Sequence, residues 1–98
     1  MSEDEERARA IALLESNHAF PTDYSISVIA RNADEITAAI VTAAFADEGP
    51  PAESAHERKP SAGGKYVSHR LTIRARDAEH VLVIYARLRT IDGVMTIL

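Results

Sequence analysis

Two lysines, two glycines and a serine fall within seven residues in Lys59-Pro60-Ser61-Ala62-Gly63-Gly64-Lys65, and Tyr66 follows at once. Glycine amides and lysine ammonium groups are the parts from which anion cradles are built, so these are the residue types of a phosphate-holding loop. The spacing departs from that motif. Five residues before Gly64 stands Lys59 rather than a glycine, and the segment enters an alternating strand rather than a helix. Nucleotide hydrolysis is not expected. What the stretch can do is meet a small anion or an acidic surface with Lys59, Ser61, Gly63, Gly64, Lys65 and Tyr66, joined by Arg70 and Arg74 from the strand beyond.

The other chemically able residues form no set. His18, His56, His69 and His80 lack close metal-ligand spacing, and although His56 and His69 could meet across a hairpin, a metal would need further ligands. His69 reads as a half-buried strand residue and His80 as a helix-surface residue. Asp34 and Glu35 suit the start of a helix better than an acid/base pair. Ser61 and Ser68 have no evident base or oxyanion partner. With no cysteine, thiol nucleophiles, thiolate ligands and disulfides are absent. No cofactor, metal or enzymatic activity is expected.

To hold the loop, the chain needs a strand on each side of it. From Tyr66 onward Val67, His69, Leu71, Ile73 and Ala75 alternate with Ser68, Arg70, Thr72 and Arg74, which defines one dry and one wet face. Pro60 and Gly63-Gly64 make Lys59 to Lys65 a hairpin loop, so Ala52 to Arg58 must be the preceding strand, polar enough for a sheet edge. Tyr24, Ile26, Val28 and Ala30 alternate in a second half-buried strand. Asn32 and Glu35 read as N-cap and N3 of a helix to about Asp47, with Ile36, Ala39, Ile40, Ala43 and Ala44 inward and Ala38, Val41 and Phe45 on the opposite side. Asp77 caps a second helix with Ala78, Val81, Leu82, Tyr85 and Leu88 as its stripe. Val94 to Leu98 is an apolar strand whose continuous character predicts cover on both faces.

Ahead of these lies a helix over Ser2 to His18, with Glu3, Asp4, Glu5 and Glu6 at its positive end and a thin stripe of Ala8, Ile11 and Leu14. The expected organisation is an N-terminal helical extension over 1–19 and one domain over 20–98. The order β-α-β-β-α-β with right-handed crossovers specifies a ferredoxin-like two-layer sandwich: a four-stranded antiparallel sheet, two helices on one face, and the strands around Tyr24 and Tyr66 in the middle. Its other face should display Ser25, Ser27, Ile29, Arg70, Thr72 and Arg74 unless the first helix or another subunit covers it.

Charge narrows the partners. The 98 residues carry a net charge of -4, which argues against general nucleic-acid binding. An RNA-binding sheet would also need aromatics on its central strands, and only Tyr66 qualifies. Yet Arg58 to Arg76 holds six basic residues and no acid, so the hairpin should be locally positive. No apolar run reaches the roughly 20 residues of a membrane span and the N-terminus is acidic, so no membrane contact and a cytoplasmic address are expected.

Phe20-Pro21-Thr22 leading into a strand, the loop from Lys59 to Tyr66 with Ser68 and Thr72-Ile73 beyond, and Leu88 with Ile91-Asp92 together resemble the YbeD-like family of small bacterial proteins. The similarity covers roughly Leu13 to Leu98. It implies a ferredoxin-like fold close to that of ACT regulatory domains and a regulatory role. ACT domains that bind amino acids use a glycine-bearing turn after the first strand, and the turn here, Arg31-Asn32-Ala33-Asp34, has none. The expectation is thus a regulatory or adaptor domain that contacts a protein partner or self-associates as a homodimer. The alternative is a sensor of an anionic metabolite.

Overall fold

A computed structural model describes residues 2–98. In chain order the elements are α1 (Glu3–Asn17), β1 (Thr22–Arg31), α2 (Asp34–Phe45), a 3₁₀ turn at Glu53–Ala55, β2 (His56–Pro60), β3 (Tyr66–Ala75), α3 (Ala78–Arg89) and β4 (Val94–Ile97). The strands form one antiparallel sheet in the order β2-β3-β1-β4. This is the ferredoxin-like arrangement, with an N-terminal helix added and β1 and β3 central.

The β1–β3 ladder runs from Thr22↔Ala75 to Arg31↔Tyr66, so the alternation of each strand coincides with that of its neighbour. Ile26, Val28 and Ala30 of β1 and Leu71, Ile73 and Ala75 of β3 are wholly buried on one face. Ile40 and Ala44 of α2 and Val81, Ile84 and Leu88 of α3 close over them. Removing a Leu or Ile side chain from water contributes about 1.5–3 kcal/mol, so this single layer between sheet and helices dominates stability.

The helix ends explain the boundaries. Asp77 accepts a 2.8 Å hydrogen bond from the His80 amide, while Arg87 and Arg89 sit at the negative end of α3. The Phe45 carbonyl accepts from the amides of Glu48 and Gly49, and Gly49 takes the left-handed conformation that ends α2. Ser2 caps α1 by accepting from the Glu5 amide.

Several expectations need correction. Phe45 is buried, not on the outer side of α2, because the helix lies tilted against the sheet and its last turn reaches the core; Val41 is half-buried and only Ala38 is exposed. The α2 N-cap is Ala33, not Asn32, and Ala33 offers no side-chain bond. Ala8 is exposed, with Ala10, Ile11 and Leu14 forming the shallow contact of α1, none of whose residues is fully buried. Ile84 is buried and Leu82 only half-buried, which turns the α3 stripe slightly. The strand expected at Ala52 to Arg58 is displaced toward the hairpin: β2 includes Lys59 and Pro60, tolerated because an edge strand can lack an amide on its open side. β4 is the other edge, with Met95 and the adjoining Leu98 exposed, so it is not covered on both faces.

Gly93 turns α3 into β4 at φ +98°, and a Cβ there would overlap Ile36 Cδ1. Gly93→Ala should cost about 1–3 kcal/mol in urea unfolding. Gly63→Ala, with no atom near its Cβ position and no positive φ, should stay within about 0.5 kcal/mol of the parent.

Candidate functional site

Residues directly opposite in an antiparallel sheet share a face, so the register maps the uncovered side of this one. One row reads Lys59–Ser68–Ile29–Thr96, and the next Glu57–Arg70–Ser27–Leu98. Farther along come Thr72 opposite Ser25 and Arg74 opposite Asp23. In the first two rows a shallow depression of about 500 Å³ lies between Lys59, Arg70, Ser27, Ile29 and Leu98. Helix α1 packs on the α3 side and leaves this face open.

The candidate residues therefore divide. Lys59 and Arg70 flank the depression, and Lys65 lies at the hairpin tip with its ammonium 5.5 Å above the Tyr66 ring. Arg74 is eight residues from Tyr66, about 27 Å along the strand. It is turned to other work: its guanidinium is 3.5 Å from Asp23 and its amide donates to the Glu48 carboxylate at 2.6 Å. The loop is built mainly to hold itself together. Ser61 N–H donates to the Tyr66 carbonyl, Gly64 N–H to the Ser61 carbonyl, and Tyr66 N–H to the Ser61 hydroxyl. Gly64 supplies the positive φ of 71° and Gly63 does not. Asn32, freed from capping, donates from its amide to the Gly64 carbonyl at 2.8 Å, while its backbone N–H donates to the Lys65 carbonyl. The turn after β1 thus fixes the hairpin tip.

Cross-strand pairing also tempers the positive charge that the sequence places here. Glu57 is opposite Arg70, Asp23 neutralises Arg74, and Arg31 lies 3.6 Å from Asp92. The charge left without an acidic partner at this end of the sheet is on Arg58, Lys59 and Lys65.

Two histidine clusters lie on the helix-covered side. His69 is 1% exposed, not half-buried, and its Nδ1 is 2.9 Å from His56 Nε2, with the rings 5.2 Å apart and 15° from parallel. Its Nε2 is buried without a partner. Burial first, then the neighbouring His56 and Arg58, brings the His69 imidazole down to about 4, and burial with Arg58 lowers His56. His80 is buried at 3% exposure, contrary to its surface reading, because the start of α3 faces the end of α2. Its Nδ1 accepts from the Arg76 amide at 3.1 Å, so the neutral ring carries its proton on Nε2. That Nε2 is 3.3 Å from Asp47 Oδ2, close in distance but off the line of a hydrogen bond. Asp47 is held more firmly by Arg87 at 2.8 Å, and this hydrogen bond is the main reason its carboxyl lies below the usual carboxylate range. With Nδ1 occupied by a backbone amide, His80 has no free nitrogen with which to activate a nucleophile. Tyr24 and Tyr85 meet through their hydroxyls at 3.4 Å, and burial raises the Tyr85 phenol. Among the described residues no three His, Cys, Asp or Glu side chains could hold a metal ion, and no helix is long and apolar enough to cross a membrane.

The family described as Protein of unknown function (DUF493), which corresponds to the YbeD-like family, matches residues 15–98. The chain belongs to this family. No curated protein matches it. The matched span begins in the last turn of α1, so it takes in the whole sheet, α2, α3 and both histidine clusters and leaves most of α1 outside. The meeting of His56 and His69 across the hairpin was legible from the sequence, whereas the full burial of His69 and His80 was not. The signal was present in part: His69 stands at an inward position of the clearest strand, and an inward polar residue calls for a partner.

Asn32→Ala should cost about 0.5–1.5 kcal/mol and lower the heteronuclear NOE of Ala62 to Lys65, because the tip loses its side-chain tether. Asp47 has a lowered folded pKa, so it contributes stability above its unfolded value near 3.9, and that contribution is lost as pH falls through the folded value. Unfolding midpoints below pH 4 should consequently fall less steeply in Asp47→Asn than in the parent.

Proposed function

We propose that the chain is a non-enzymatic regulatory or adaptor domain whose open sheet face contacts a protein partner, which includes a second copy of itself. The supporting observation is the depression in which the apolar side chains of Ile29 and the exposed Leu98 lie on one side and the charged Lys59 and Arg70 on the other. Apolar side chains bordered by polar and charged ones suit a protein contact. Excess charge on Arg58, Lys59 and Lys65 favours a partner patch with carboxylates around an apolar side chain.

The metabolite-sensor reading has less support. A small anion would need convergent free amides, and those of Ser61, Gly64 and Tyr66 are engaged within the loop. RNA has less still, because Tyr66 is the one aromatic residue on the outer face of β1 and β3.

Isotope-labelled protein mixed with the macromolecular fraction of a cell extract should show amide shifts at Ser27, Ile29, Ser68 and Arg70. The double variant Lys59→Glu/Arg70→Glu should lose them while keeping its fold. Shifts produced by the small-molecule fraction alone would replace this reading with the sensor, and shifts confined to α1 or α3 would end it.

A further inference from the structure

Strand β2 has little to hold it. It pairs with β3 alone, and Glu57, Arg58, Lys59 and Pro60 are all exposed. Ala55 in the turn before it packs against the core, but within the strand His56 is the sole half-buried side chain. Its ring stacks on His69 and shares the 2.9 Å contact. We propose that the His56–His69 pair is an acid-sensitive catch that fastens β2 to the sheet, and that proton uptake by the pair releases this edge strand.

The contact requires one ring nitrogen to donate and the other to accept, a condition met when both rings are neutral. When both rings are protonated, two N–H groups face each other at the contact, and His69 carries a charge in a site that water does not reach. A single added proton still leaves one donor and one acceptor at the contact, but it adds a positive charge that no carboxylate pairs, beside a His69 Nε2 that is buried without a partner. The surroundings make this worse. Arg58 of β2 stands directly opposite His69 and has the same sign as the incoming proton. From β1 the neighbour is Val28, and along β3 the flanking inward residues are Val67 and Leu71. The 3₁₀ turn offers Glu53 and α2 offers Asp34 and Glu35, all exposed and none in an ion pair with either imidazole. His80 is the internal contrast, since it has Asp47 within 3.3 Å and no part in holding β2.

The direction follows from linkage. Both imidazoles lie below the ordinary value of 6.5 when β2 is docked, His69 at about 4, and approach 6.5 when it opens. The open state therefore binds more protons between pH 6.5 and 4, and docking weakens as pH falls through that window. Lys59 and Glu57 leave with the strand, so release also takes away one side of the depression. That consequence for partner contact rests on the function proposed above, whereas the release itself does not.

Amide hydrogen exchange by NMR, corrected for intrinsic rates, tests the catch on the full chain. Protection of the β2 amides should fall at least tenfold between pH 7 and pH 5 while the β1–β3 ladder keeps its protection. In His69→Phe, and in His56→Phe at the more tolerant half-exposed position, β2 protection should no longer depend on pH. Unchanged β2 protection in the parent protein, or the same fall in a folded His56→Phe variant, overturns the proposal. If β2 opens in acid yet Ser27 and Ser68 still shift with the macromolecular fraction, the catch stands and the linkage of β2 to partner contact is overturned.

Discussion

The ladder between β1 and β3 is the constraint on which the rest depends. Its ten pairs are in register along their whole length, so every inward side chain of one strand adjoins an inward side chain of the other. A slip of β3 by one residue would turn Val67, Leu71 and Ile73 to water together and bring Ser68, Arg70 and Thr72 against the helices. Because the dry side is defined once for both central strands, α2 and α3 can pack only there. The uncovered side is then the polar one by the same geometry. An open face is a consequence of how the core is made.

This explains what could be read from the sequence. Alternation in Tyr24 to Ala30 and Tyr66 to Ala75, with Asp77 before a helical stripe, was enough to fix the central strands, α3 and the topology, because each signal is local and repeats over several residues. Phe45, Asn32 and His80 were misplaced for a different reason. Each has a position set by an element distant in sequence: the sheet beneath α2, the hairpin tip at Gly64, and Asp47 at the end of another helix. Periodicity assigns a face of a helix but not its tilt, and cap rules assign a side chain to its own helix even where a closer acceptor lies across the fold. β4 shows the same limit, since an apolar run can be a buried strand or an uncharged edge.

The candidate site shows how folding redistributes charge that is segregated along the chain. Six basic residues without an acid looked like a positive patch. Antiparallel pairing set Asp23 beside Arg74 and Glu57 opposite Arg70, and spread what remained over both ends of a ten-residue strand. Arg58, Lys59 and Lys65, at the hairpin end, keep no carboxylate in an ion pair. Sequence showed which residues could carry the chemistry, and register decided which of them meet.

The two edges of the sheet are unlike. β2 presents Glu57, Arg58, Lys59 and Pro60, a row in which charge and a missing amide discourage another strand. β4 presents Val94, Met95, Thr96 and Ile97, with no charge among them. A fibril grows by adding units through two receptive sides, one to attach and one to be attached to. This molecule has one such side, so were two copies to meet through β4, both receptive edges would be used and β2 would be left at each end of the extended sheet. Pairing by that route would close at two, so the asymmetry of the edges works against open-ended growth.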